Sequence, residues 1–170
     1  MHLHCTQKLL KSFVFPKDSL DSTSPSNRLF GWHAHIVSIA RAKTIIALND
    51  QTFFAVIIPG IKKERLENFS NEFYLALSSV LKSEGLGDPY LDVLFGEHIS
   101  YEKAHDRQVI GIINQVVKDI DYRVAHKGGW EKINIIELTK SINRTPWLAS
   151  TSNPVFPIER ITSDLKSLLH

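Results

Sequence analysis

The sequence predicts an α+β fold, an antiparallel β-meander with helices packed on one face. Three observations carry this. The β-rich runs GWHAHIVSI, TIIAL and FFAVII follow one another between residues 31 and 58. Pro59-Gly60 ends the last of them, and helical periodicity takes over beyond it. Strands therefore come first and helices afterwards, the order of an antiparallel sheet covered by helices. A chain of 170 residues has the size of one compact domain, and 43% apolar with 22% charged residues is a globular composition. Residues 1–170 read as a single domain.

Element by element, HLHC at residues 2–5 suits a short edge strand. Thr6 is a plausible cap for a helix over QKLLKSF, with Leu9, Leu10 and Phe13 turned inward. Residues 14–27, rich in Ser, Asp and Pro, read as a mobile loop. In the meander, ARAK and NDQ form the connections, and the short NDQ points to a hairpin. From Ile61 to Glu84, Leu66, Phe69, Phe73, Leu77 and Val80 make one apolar stripe, stopped by Gly85 and Gly87. The alternation in YLDVLF predicts a short strand. A second helix runs from Tyr101 or Asp106 to Ala125 on Ile110, Ile113, Val117, Ile120 and Val124, closed by Gly128-Gly129. A third spans about 130–142, and Pro157 opens a terminal helix carrying Ile158, Ile161 and Leu165.

Composition excludes more than it assigns. Twenty Lys+Arg against eighteen Asp+Glu gives a formal charge of +2, too balanced to point to nucleic acid as the partner. One cysteine cannot form an internal disulfide, so the fold needs no oxidising compartment. The N-terminus lacks the pattern of a signal peptide. Runs such as FFAVII fall far short of the ~20 residues that span a bilayer. These features predict a cytoplasmic protein without a membrane partner. Cys-x-x-Cys, Gly-x-Gly-x-x-Gly, Walker, Gly-x-Ser-x-Gly and His-Glu-x-x-His patterns are absent, so no catalytic residue is assigned.

Four constellations remain. Cys5 sits beside His4 and near His2, but His4 and Cys5 face opposite ways on a strand, and a lone cysteine is usually a buried apolar residue. His33 and His35 share one strand face and could form half of a zinc or iron site. His4, His98 and His105 could complete it, but no second ligand pair has a fixed spacing, so no metal ligand is assigned. Arg107, Gly111 and Asn114 form a polar strip on the second helix, where a mid-helix glycine suggests close approach by a backbone or ligand. Arg41, Lys43, Lys62, Lys63 and Arg65 could meet phosphates, although such clusters are mostly solvated faces.

The segments HCTQKLL, GWHAHIVSIARAKTIIALNDQTFFAVIIPG, DRQVIGIINQ, NRTPW and NPVFPIE together resemble an uncharacterised family of small bacterial proteins, a domain of unknown function. The resemblance implies one bacterial domain over nearly the whole chain and brings no activity, cofactor or catalytic residue with it. The leading expectation is a non-enzymatic binding or regulatory module, an accessory of bacterial stress or mobile elements, with a protein partner or a second copy as its target. The alternative is a small enzyme or metal-binding protein using His33 and His35 with Arg107 and Asn114. A nucleic-acid binder comes third. The cofactor stays unassigned.

Overall fold

The computed structural model describes residues 1–12, 27–96, 99–147 and 154–169. Its sheet holds β1 (His2–Cys5), β2 (Gly31–Ile39), β3 (Ala42–Asn49), β4 (Ala55–Ile58) and β5 (Ser100–Lys103), in the order β4-β3-β2-β1-β5. β2, β3 and β4 form the expected antiparallel meander, with Ile36 opposite Ile45 and Ile46 opposite Ile57. The HLHC run, however, is not an edge strand. β1 lies between β2 and β5 and runs parallel to both, so that His4 is aligned with His33 on one side and Glu102 on the other. The sheet is therefore mixed rather than antiparallel throughout. Parallel neighbours need long connections, and both neighbours of β1 lie far from it in sequence. All four β1 residues are buried, as befits an inner strand.

Seven helices surround the sheet among the described residues: α1 (Gln7–Leu10), α2 (Lys63–Leu66), α3 (Phe69–Ser83), α4 (Asp88–Phe95), α5 (Arg107–Lys127), α6 (Ile135–Asn143) and α7 (Pro157–Leu169). The α+β class stands, but the helices cover both faces where one was expected. On one face Leu3, Trp32, Ile45, Ala47 and Val56 pack with Phe73 and Leu77 of α3, Leu94 of α4 and Ile161 of α7. On the other, Ile46, Leu48, Ala55 and Ile57 meet Val109, Ile113 and Ile120 of α5 and Ile142 of α6. The reason lies in β3, whose Ile45-Ile46-Ala47-Leu48 run is apolar on both sides. Each such side chain contributes about 1.5–3 kcal/mol when buried, so both faces need cover.

Other local differences have local causes. YLDVLF belongs to α4, not to a strand: Gly87 leads in, Pro89 occupies the first turn, and Leu91 and Leu94 are buried at helical spacing. The stripe from Ile61 onward is divided between α2 and α3, interrupted at Asn68 with φ −119° and ψ 45°. The loop expected at 14–27 lies outside the described residues except for Asn27, whose side chain accepts from the Leu29 N–H at 2.9 Å. Asp106 caps α5 by accepting from Gln108 N and Val109 N, and Gly128 stops it in the left-handed conformation at φ 87°. No described helix is long and apolar enough to cross a membrane.

Candidate functional site

Strand alternation sorts the side chains of β1. Leu3 and Cys5 enter one apolar core, while His2 and His4 point to the opposite face. The parallel register brings Gly31 and His33 of β2, and Ser100 and Glu102 of β5, alongside them. His105, in the short link between β5 and α5, closes the group from the solvent side with its side chain 63% exposed. His4 is the hub, its ring centroid 4.8 Å from His2, 4.6 Å from His33 and 5.0 Å from His105.

A carboxylate stands on either side of the hub. Asp50 follows β3 in a turn organised by Asn49, whose Oδ1 accepts from Gln51 N, Thr52 N and Thr52 Oγ1 while its Nδ2 donates to Leu29 O. The Asp50 N–H donates to Gly31 O at 2.9 Å. Phe53 completes the turn in the left-handed region at φ 59°. Gly31 leaves room for the result, because a Cβ there would run into the Asp50 carboxylate and lie 3.3 Å from His4 Nε2. Held this way, Asp50 Oδ1 receives His33 Nδ1 at 2.6 Å and Oδ2 faces His4 Nε2 at 3.1 Å. Across the hub, Glu102 Oε1 lies 2.5 Å from His4 Nδ1 and 3.4 Å from His105 Nδ1, and Oε2 lies 3.5 Å from His2 Nε2.

Hydrogen bonding separates the imidazole nitrogens into two kinds. Both nitrogens of His33 are occupied: Nδ1–H donates to Asp50, and Nε2 accepts from the Asp106 N–H at 3.2 Å. His2 Nδ1 meets Ser100 Oγ. By contrast, His2 Nε2 and His4 Nδ1 are buried and have the Glu102 carboxylate beside them as an ion-pair neighbour. Burial, reinforced by the neighbouring His4 charge, holds the His2 pKa below its ordinary value. Burial would also lower that of His4, but Asp50 and Glu102 outweigh it and raise the pKa. For Asp50, burial acts upward, and the hydrogen bonds from His33 and His4 outweigh it and hold the carboxyl low.

Two sets of three groups each have ligand atoms within 4.8 Å of one another: His4, His33 and His105, and His2, His4 and Glu102. The first requires His33 to give up a hydrogen bond. The second needs no such exchange, since each of its imidazoles turns one nitrogen toward Glu102, itself a member of the set, while the other nitrogens are held by Ser100 and Asp50. That division is the usual one for metal-bound histidine, one nitrogen toward the ion and the other oriented by an outer oxygen. Two imidazoles and a carboxylate are the donors of zinc and of first-row transition metals rather than of calcium or magnesium.

Of the residues singled out from the sequence, His33 and its candidate partners His4 and His105 lie in this cluster, His35, Arg107 and Asn114 do not, and His98 lies outside the described residues. His35 is farther along β2, with Nδ1 3.0 Å from Thr6 Oγ1. Arg107 and Asn114 are exposed on α5 and join neither histidine. A Cβ added at Gly111 would meet nothing within 4 Å, so no neighbouring backbone among the described residues requires a glycine there. The cation that does approach is Arg28, which donates to Asp50 O and Asp106 Oδ2, both at 2.8 Å. Cys5 is fully buried on the opposite face, where burial pushes its thiol pKa up. The sequence alone leaves Asp50 in a turn and singles out neither Glu102 nor Gly31. The signals it offers are the His-x-His of β2, with His4 and His105 as candidate partners, and the alternation of HLHC, which puts His2 and His4 on one face.

A family model described as a domain of unknown function, DUF6933, matches residues 2–160. No curated protein matches the chain.

Proposed function

The chain belongs to the DUF6933 family, a domain of unknown function, and, since that membership brings no activity with it, we propose that it is a metal-binding domain holding a divalent transition metal through His2, His4 and Glu102. One observation carries the reading: two buried imidazole nitrogens, His2 Nε2 and His4 Nδ1, converge on one carboxylate, Glu102, in a set whose ligand atoms lie within 4.8 Å of one another. A metal ion seated among them would pair with the Glu102 charge, and its binding free energy would add to the stability of the folded chain. In this arrangement His4 Nε2–H donates to Asp50, His2 Nδ1–H to Ser100, and His105 supplies a further nitrogen from the exposed side. The exposed His105 side chain marks the side from which an ion would reach the site. The leading binding-module expectation thus narrows to metal binding, and in place of the alternative built on His33 and His35 with Arg107 and Asn114 the reading rests on His2, His4 and Glu102. We take the 170 residues as one domain and assign it to the bacterial cytoplasm, a setting that suits a lone buried thiol.

The test is a titration of the purified, chelator-treated chain with Co²⁺ and Zn²⁺, read by the visible spectrum of bound Co²⁺ and by elemental analysis. The expected result is one metal per chain, lost in His4→Ala and in Glu102→Gln. Asp50→Asn, which changes only the oxygen orienting His4 and His33, should weaken binding by about 10–100-fold. A folded wild-type chain that takes up neither metal at about millimolar concentration, a level at which even weak sites fill, would leave Asp50, His4 and His33 as a metal-free acid–base network and end the metal reading.

A further inference from the structure

We infer a second binding surface, for the phosphodiester backbone of nucleic acid, at the end of β2 away from the histidines. There Arg41, Lys43, Lys62 and Lys63 surround one hollow, with Glu64 its single acid. The sequence places these cations about twenty residues apart, and the fold closes the gap: the Ile61 N–H donates to Lys43 O at 2.9 Å, and Ile61 itself is buried. Four exposed cations therefore share a rigid frame: Arg41 on the β2–β3 turn, Lys43 near the start of β3, and Lys62 and Lys63 where the chain passes from β4 into α2.

Two further observations set this cluster apart from an ordinary solvated face. None of the four has an ion-pair partner among the described residues, whereas neighbouring Arg65 is held by Glu72 and Arg144 by Glu84. The turn itself is also unusual. Ala40 and Arg41 have φ of 45° and 67°, the left-handed region that two-residue hairpins normally give to Asn or Gly. An arginine in that conformation projects from the tip of the hairpin at a steric cost, and strain of this kind marks a position held for some purpose other than stability.

The chemistry selects among anionic ligands. A small anion is generally held by a buried donor, and the hollow offers only exposed, flexible cations. A membrane surface calls for an apolar anchor beside the charges, yet none of the exposed large apolar side chains, Leu75, Tyr122, Phe156, Leu168 and Leu169, lines the hollow. Repeated phosphates along a strand fit separate, mobile cations, and such binding is independent of sequence and sensitive to salt. The near-neutral total of +2 conceals this patch because acids elsewhere offset it. This surface stands apart from the metal centre, and neither proposal depends on the other.

The experiment is fluorescence anisotropy of a labelled 20-nucleotide single strand of arbitrary sequence, titrated with the full chain. Four phosphate contacts predict a loss of about 50-fold in affinity between about 50 and 200 mM salt. The double reversal Lys62→Glu/Lys63→Glu should weaken binding about tenfold or more at the lower salt. Arg41→Gly, which removes a charge and relieves the left-handed backbone together, should keep the fold and lower the salt slope by about one. Lys166→Ala, on α7, should bind as wild type does. No anisotropy change at low salt would overturn the proposal, as would salt-independent binding, wild-type affinity in both hollow variants, or capture by phosphatidylserine vesicles without capture of the strand.

Discussion

Two glycines show how differently the same residue type can be used. Gly31 lies under the Asp50 carboxylate and His4, where an added Cβ collides with the first and crowds the second. Gly31→Ala should destabilise the chain by about 1–3 kcal/mol, the usual cost of overpacking, and should misplace Asp50. Gly111 has open space around it in the body of α5. Gly111→Ala should therefore stabilise by up to about 1 kcal/mol through helix propensity alone. Urea unfolding of the two variants beside wild type measures both effects, and equal shifts in the same direction would contradict the assignment. Neither role is legible in the sequence, where Gly111 stands out as an interruption of a helical stripe and Gly31 reads as the start of a strand. The same holds for the site. His33 declares itself by the spacing of His-x-His, while Asp50 and Glu102 reach His4 only through a turn and a parallel strand pair that no short window contains.

Among the elements, legibility follows length and periodicity. α3, α5 and α7 bury residues at three- and four-residue steps, and the meander strands are long apolar runs, so both kinds are readable. β5 is the four-residue SYEK, whose strand character comes from pairing with β1 rather than from its own composition. β4 raises a different question, because it lies at the sheet edge with all four residues buried. An open edge of this kind invites pairing with other chains. α6 answers it with Asn143, fully buried, whose Oδ1 accepts from Ala55 N at 2.6 Å and whose Nδ2 donates to Ala55 O at 3.1 Å. The side-chain amide thus takes the place of a neighbouring strand's peptide. Asn143→Ala would orphan both Ala55 groups and should cost about 2–4 kcal/mol, with faster aggregation on warming. Calorimetry and light scattering test the pair of effects, and an unchanged midpoint would mean that water replaces the amide without loss.

At the scale of the molecule, the proposed metal would act as a long-range staple. Its ligands come from β1 and β5, strands that neighbour each other in space while almost a hundred residues separate His2 from Glu102. Both strands are four residues long, so each relies on its neighbours for stability. An ion bound to folded chain and not to unfolded chain stabilises by about 2.7 kcal/mol at a free concentration a hundred times Kd. For a domain of this size that corresponds to a rise in Tm of about 5–10 °C. The rise should appear with Zn²⁺ or Co²⁺, reverse on chelation, and vanish in the His2→Ala/His4→Ala double variant. It should survive Lys62→Glu/Lys63→Glu, since those cations stand at the other end of β2. The apo double variant provides the sharper comparison. Removing two buried imidazoles opens space and takes ion-pair partners from Asp50 and Glu102, so its Tm should lie below that of the apo wild type, and its response to metal should be gone. A metal-induced shift that persisted in the double variant would move the metal elsewhere.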